Sequence, residues 1–297
     1  MPDESAWLIE RFEEHRPRLR GVAYRMLGSL NEADDAVQEA WLRLSRADTS
    51  SVENLAGWLT TVVGRVCLNM LRTRESRREE PIDVRLPDPI VSPEDGGDPE
   101  QEALLADSVG LALLVVLDTL SPAERLVFVL HDVFAVPFDE IAPMIERSPA
   151  AARQLASRAR RRVQGAAPAP DPDLTRQREV VDAYFAAVRE GDFDALVAVL
   201  DPQVVLRSDG GTERARQTVV IRGARDVAAQ AVRAARLAPF VRPALINGTA
   251  GVVATARGRA FAVMAFSVTE GRIVAIEVLS DPERLADLDL GVFEDSP

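Results

Sequence analysis

The sequence predicts a multidomain fold, two all-α modules followed by one α+β module, on three observations. Apolar residues recur at three- and four-residue spacing from Leu19 to Leu71 and again from Phe138 to Val163, the period of helices with one buried face. After about Val204 the pattern changes to short apolar runs separated by Asn-Gly and other glycine turns, the period of strands. Two stretches rich in proline, glycine and acid, Arg77–Glu102 and Gly165–Asp173, separate the patterns as connectors. The expected boundaries are a first module at 1–80, an acidic proline-rich linker at 81–107, a second module at 108–165, a short linker at 166–174 and a third module at 175–297.

In the first module Leu19, Val22, Ala23, Met26 and Leu27 form one buried stripe. Asn31 is the expected cap of a second helix, which turns Ala33, Ala36, Val37, Ala40, Trp41 and Leu44 inward and Asp34, Asp35, Gln38 and Glu39 outward. A third helix from about Leu55 buries Leu59, Val62, Val63, Val66, Cys67, Met70 and Leu71 and ends in Arg72, Arg74, Arg77 and Arg78. The second module pairs a helix carrying Phe138, Ile141 and Ile145 with one that starts at the Ser148 cap and Pro149. That last helix buries Ala152, Leu155, Ala156, Ala159 and Val163 and projects Arg153, Gln154, Ser157, Arg158, Arg160 and Arg161. The link Glu146–Ser148 suits a helix-turn-helix. Six arginines and no acid lie between Arg147 and Arg162, the footprint of a helix that rests on nucleic acid.

In the third module Val180, Val181, Tyr184, Phe185 and Val188 stripe one helix, and Asp192 caps another. Strands are expected at VVLRSD, PALING, GVVATAR, AFAVMAFSV and RIVAIEVL, with a helix near Asp226–Arg236, giving a curved sheet wrapped around helices.

Composition excludes several classes. The single cysteine, Cys67, rules out an internal disulfide, and the two histidines, His15 and His131, make a histidine-built metal site improbable; no cofactor is expected. There is no run of eighteen apolar residues, and the start MPDESAWLIERFEEHR is too acidic for a secretory signal, so a cytoplasmic protein without a membrane partner is expected. Net charge is −12, which opposes DNA binding by the whole surface. Basic charge is local: residues 81–120 hold nine acids and one arginine, whereas 121–166 hold seven arginines and five acids.

The strings NEADDAVQEAWLRL, GWLTTVVGRVCLNMLRTR, LSPAERLVFVLHDVFAVPFDEIA and SPAAARQLASRAR, in that order, resemble domains 2 and 4 of extracytoplasmic-function (group 4) RNA polymerase sigma factors. The third module resembles an NTF2-like (SnoaL-type) domain, cone-shaped and α+β, as fused to the C-terminus of one subclass of those factors. The resemblance implies core RNA polymerase and promoter DNA as partners. Asp34, Asp35, Gln38 and Glu39 would meet the clamp helices of the largest subunit, and domain 4 the flap region. Trp58, Arg65, Asn69, Arg72, Arg74 and Arg77 would recognise and melt the −10 element, helped by the loop Ala47–Asn54; for Trp58 a core role competes with base stacking. Arg147, Ser148, Ala151, Arg153, Gln154, Arg158 and Arg160 would read or hold the −35 element. Two departures from the family pattern, Glu146 in place of a turn glycine and Pro143 within the first helix, imply local adjustment.

LPDPIV, Leu86–Val91, resembles a linker motif of the fused subclass, and SDGGTERAR, Ser208–Arg216, its DGG-type motif. Pro87, Asp88, Pro89, Asp209, Gly210 and Gly211 are therefore the expected regulatory contact; a plain spacer and a plain turn are the alternatives. Catalysis is the competing function, as a helix-turn-helix regulator fused to an active SnoaL-like domain. Residues 175–297 hold no histidine and one tyrosine, Tyr184, leaving Asp209, Asp226 and Glu277 for proton transfer. No catalytic residue is expected; cis-regulation, with a small unidentified ligand as an option, is the favoured role. A plain helix-turn-helix repressor would leave domain 2 without a purpose.

Overall fold

The structure, a computed structural model, describes residues 4–47, 54–77, 85–94, 110–166 and 170–294. The three modules assort into two compact units: Met1–Pro81, Glu102–Asp107 and Leu114–Ala167 form the first, and Ile82–Gln101, Ser108–Leu113 and Pro168–Pro297 the second.

In the first unit α1 (Glu4–Leu27), α2 (Leu30–Leu44) and α3 (Leu55–Arg77) pack on the apolar stripes expected of them, with Phe12, Met26, Leu44 and Leu59 fully buried. Ser29, rather than Asn31, occupies the cap position of α2, because Gly28 in the left-handed region ends α1 two residues earlier than the polar signal suggests. Helix α4 (Gly110–Leu117) contributes its last turn, and α5 (Pro122–Val127) starts at a complete capping box between Ser121 and Glu124 and runs into a π-helical turn, Phe128–Val133. Next come α6 (Phe138–Ile141), a 3₁₀ turn at Ala142–Met144 and α7 (Pro149–Ala166). Both departures leave their mark: Pro143 sits in the 3₁₀ turn, and Glu146 takes φ 55°, the left-handed backbone that glycine would adopt more cheaply.

Helix α3 is buried on two sides. One faces α1 and α2; the other, Thr60, Gly64 and Leu68, is also sealed, and a Cβ on Gly64 would lie 3.3–3.4 Å from Leu126, Leu130 and Met144. At the same seam Arg125, 2% exposed, donates from Nε to the Arg25 carbonyl at 3.0 Å and pairs through Nη1 with Asp118. Arg25 in turn lies over the Phe134 ring, 5.3 Å from its centroid. Burial pushes the Cys67 thiol in α3 up to about 12.

The second unit carries β1 (Val91–Ser92), α8 (Leu174–Glu190), α9 (Phe193–Val199), β2 (Leu200–Asp209), β3 (Val219–Arg222), α10 (Ala224–Arg233), a 3₁₀ helix at Ala235–Phe240, β4 (Val241–Ile246), β5 (Thr249–Ala256), β6 (Arg259–Thr269), β7 (Arg272–Leu279), α11 (Pro282–Ala286) and α12 (Gly291–Glu294). The sheet runs β1-β4-β5-β6-β7-β2-β3, antiparallel except where β2 lies parallel to β7. Three hairpins are set by pairs with both residues at positive φ, Asn247-Gly248, Arg257-Gly258 and Glu270-Gly271, the twist that matches antiparallel strands. Tyr184 and Phe185 of α8 pack edge-on against Phe266 of β6, with Leu196, Val227, Val252 and Ile276 completing the core.

Glu277 neighbours Arg207 across β7 and β2 and is 1% exposed. Arg207 Nη1 reaches one oxygen at 3.3 Å, while Oε2 has no partner among the described residues. Burial raises the carboxyl to about 7 from its ordinary 4.5, against the pull of Arg207. A carboxyl raised in the folded state supports the fold fully below the unfolded value, and that support is lost as pH rises from about 4.5 to about 7.

Between pH 5 and pH 8 the wild-type chain should lose on the order of 2 kcal/mol of stability relative to Glu277→Gln, read from urea unfolding at each pH; parallel curves for the two proteins would show that Glu277 does not titrate there. Gly64→Leu should cost about 1–3 kcal/mol by overpacking the seam. Cys67 in that variant should react with a thiol reagent roughly tenfold faster, and an unchanged rate would mean that Gly64 is not packed as described.

Candidate nucleic-acid interface

On α2, Asp35 and Gln38 are exposed. Asp34 is held by Arg20 at 2.6 Å and Glu39 by Arg43 at 2.8 Å, both at the surface, where such pairs add little stability. Leu42, 39% exposed, lies one turn beyond Gln38 and gives this acidic face an apolar element.

Along α3, Trp58, Arg65, Asn69 and Arg72 share one stripe about 20 Å long. Arg65, Asn69 and Arg72 are exposed; Trp58 is half-buried, in part a core residue and in part available. Arg74 stands apart, donating to the Leu27 carbonyl at 3.0 Å and pairing with Glu32. Arg77 ends the helix, but its side chain and residues 48–53 of the Ala47–Asn54 loop lie outside the described residues.

On α7 the Ser148 hydroxyl accepts the Ala151 N–H at 3.2 Å, so Ser148 serves the helix start. Three of the six arginines brace the helix against what precedes it. Arg153 lies over the Phe138 ring at 5.6 Å, Arg160 pairs with Asp132 at 2.5 Å, and Arg162 pairs with Glu124 at 3.1 Å. The Phe138 ring is itself stacked on His131, 3.7 Å between centroids. Ala151, Gln154, Arg158 and Arg161, spaced three and four apart, form the outward stripe, and Arg147 is exposed just before the helix. Arg161 belongs to that stripe although its place in a run of three arginines gave no sign that it differs from its neighbours.

A second cluster lies in the C-terminal unit. Arg284 of α11 donates to Asp88 at 2.5 Å, to Asp209 at 2.7 Å and to the Leu86 carbonyl at 2.7 Å. Asp209, 3% exposed, also accepts the N–H of Leu86 at 2.9 Å and of Gly211 at 3.1 Å. A Cβ on Gly210 would lie 2.4 Å from the Arg214 carbonyl and one on Gly211 2.2 Å from the Asp281 carboxylate, so no other residue fits at either position without displacement. Pro87 and Pro89 are buried with Leu86, Ile90 and Val91. Ile90 and Asn247 exchange hydrogen bonds at 2.8 and 3.1 Å, β1 pairs with β4, and Glu94 pairs with Arg178, which also donates to the carbonyls of Ala244 and Gly251. Residues 85–94 are thus part of a fold and not a free spacer.

Residues 11–77 match the model for Sigma-70 region 2 and residues 110–163 that for Sigma-70, region 4. Over 290 residues the sequence is 39% identical to the ECF RNA polymerase sigma factor SigJ of Mycobacterium tuberculosis, covering 93% of this chain and 92% of that protein. The chain belongs to the extracytoplasmic-function RNA polymerase sigma factors. It is also 36% identical to the probable sigma factor SigI of the same organism, over 97% of this chain and 96% of that one. The crystal structure of the extracytoplasmic function sigma factor SigJ of Mycobacterium tuberculosis superposes with a TM-score of 0.76 at 34% identity, covering 95% of this chain and 99% of SigJ, so the sigma regions and the C-terminal α+β unit both have counterparts there. As a sigma factor it serves transcription initiation, binding core RNA polymerase and promoter DNA. Among the described residues no helix is long and apolar enough to cross a membrane, and no acid, histidine and cysteine group could hold a metal.

Arg284, Arg178 and Asn247 had no sequence signal, since each meets its linker partner across more than eighty residues of chain. Arg284→Ala would remove the cation that Asp88 and Asp209 share and should cost about 3 kcal/mol. Hydrogen exchange at the Leu86 and Ile90 amides should accelerate at least tenfold while β6 and β7 stay protected; unchanged exchange would mean that Arg284 does not hold the linker.

Proposed function

We propose that this sigma factor reads a two-part promoter and that its C-terminal unit controls it in cis through the linker. Asp34, Asp35, Gln38 and Glu39 dock on the clamp helices of the largest polymerase subunit, where an acidic face meets a basic one; domain 4 meets the flap region. Trp58, Arg65, Asn69, Arg72, Arg74 and Arg77 take the −10 element, the exposed cations holding the strand while bases leave the stack. On the −35 element Ala151 and Gln154 face base edges, while Arg147, Arg158 and Arg161 take phosphates. Arg153 and Arg160 set the angle of α7, and Ser148 caps it. The protein works in the cytoplasm, with domain 2 at 1–80, linkers at 81–107 and 166–174, domain 4 at 108–165 and the NTF2-like domain at 175–297.

The cluster around Arg284 carries the regulatory reading: linker residues Leu86 and Asp88 and sheet residue Asp209 share one guanidinium. The same arrangement favours binding over covalent chemistry. Asp209 is committed to the linker, Glu277 is sealed beside Arg207, and burial pushes the Tyr184 hydroxyl upward.

Transcription in vitro with core polymerase tests the reading. The full chain should initiate at a promoter with both elements, and Arg158→Glu should reduce initiation roughly tenfold, about 1.4 kcal/mol. Arg284→Ala should alter output at least threefold at unchanged affinity for core enzyme, and a chain ending near Gly165, which lacks the C-terminal unit, should shift output in the same direction. Equal output from wild type and Arg284→Ala would remove cis control; tight binding to a palindrome without core enzyme would favour a repressor.

A further inference from the structure

Burial and bracing together decide which side chain of α7 is placed to carry sequence information. Ala152, Ala156 and Ala159 are fully buried and mark the inner face of the helix. At about 3.6 residues per turn, the line farthest from that face runs through Ala150, Gln154, Ser157 and Arg161. All four are exposed, whereas Ala151 beside them is half-buried.

Most polar side chains around this line are already committed. Ser148 caps the helix through its hydroxyl, and Arg153 lies over the Phe138 ring. Arg160 and Arg162 hold Asp132 and Glu124, and Arg161 Nε donates to the Ser157 carbonyl at 3.3 Å. Gln154 differs from them: its amide forms no hydrogen bond with any described residue. It stands on the second turn, about 7.5 Å along the axis from Pro149. In a helix-turn-helix that enters the major groove, this N-terminal part of the second helix is the part that meets base edges.

The chemistry of the amide then selects a base. A glutamine side chain presents a carbonyl acceptor and an amino donor next to each other. Adenine presents the complementary pair in the major groove, the N7 acceptor beside the N6 donor. Guanine offers two acceptors there, cytosine a donor and thymine an acceptor with a methyl group, so each would leave part of the amide unpaired. On the same line of the helix Ala150 has no polar side-chain group, and the Ser157 hydroxyl both donates and accepts, so neither makes this distinction.

We propose that Gln154 sets the base identity of the −35 element at one position, by hydrogen-bonding N6 and N7 of an adenine in the major groove. The proposal rests on the −35 reading of α7 given above. The braces contribute to it, because a helix held at Phe138, Asp132 and Glu124 delivers the amide at one depth and one angle, and a two-pronged contact gains most from groups already oriented.

The test uses full-length wild type, Gln154→Ala, Gln154→Glu and Arg158→Ala, each assembled with core polymerase. Each holoenzyme selects from a duplex pool randomised from the −35 to the −10 segment, and the bound fraction is sequenced. Wild type should enrich adenine at one position of the −35 segment, on the order of tenfold to a hundredfold over the other bases. Gln154→Ala should lose that enrichment and keep the preferences at the remaining positions. Gln154→Glu, which offers only acceptors, should move the preference at the same position to cytosine, whose N4 amino group donates. A damaged helix would not produce that change. Arg158→Ala, lacking a phosphate contact, should weaken binding evenly across the pool and leave the adenine preference in place.

An adenine preference that survives in Gln154→Ala would overturn the proposal, as would enrichment of another base at the position where Gln154→Ala acts. An even loss of every preference in Gln154→Ala would overturn it too, giving the amide a role in holding the helix. If wild type enriches no base anywhere in the −35 segment, the −35 reading itself fails, which separates the two failures.

Discussion

One guanidinium fixes the C-terminal unit. Arg284 balances Asp88 from the linker and Asp209 from the end of β2, and both carboxylates also hold, or lie beside, backbone groups of the linker. A buried acid and a half-buried one around a single cation are tolerable because further donors reach them; the N–H groups of Leu86 and Gly211 do so at Asp209. The Gly211 N–H arrives only if the chain turns tightly after β2, hence two adjacent glycines. The position of the linker, the shape of the DGG turn and the docking of α11 are consequences of the same charge balance.

The first unit shows a similar economy on the DNA-facing side. Cations that look equivalent in sequence divide into braces and readers: Arg153, Arg160 and Arg162 are spent on Phe138, Asp132 and Glu124, which leaves Arg158 and Arg161 pointing outward. A helix held at three points presents its remaining side chains with little freedom left to lose on binding. Helix α3 has a parallel division, with one stripe free and two faces buried, and Gly64 is the residue that lets the second face close.

Helix identity and inward faces were legible in the sequence because period and side-chain type agree there, as at Ala152, Ala156 and Ala159, or at Val62, Val63 and Val66. The three hairpins were legible from their glycine turns. Strands β1 and β3 were not: each is short, β1 lies in a proline-rich stretch and owes its conformation to a partner strand far away in the chain, and β3 is a four-residue strand paired only with β2. The start of α2 was misplaced because Gly28 and Ser29 set it through backbone geometry, while Asn31 offers only the right chemistry two positions too late. Among site residues, the motif positions Asp88 and Asp209 could be named from resemblance, whereas Arg284, which joins them, had no periodicity or spacing to mark it.

Strand β1 is only two residues long, yet it closes one side of a seven-stranded sheet. By pairing with Leu245 and Ile246 it occupies hydrogen-bonding groups of β4 that would otherwise template the addition of a foreign strand. A linker that left this groove would uncover an adhesive margin as well as its own apolar side chains. The pairing therefore covers two exposures at once, the margin of the sheet and the apolar side of the linker.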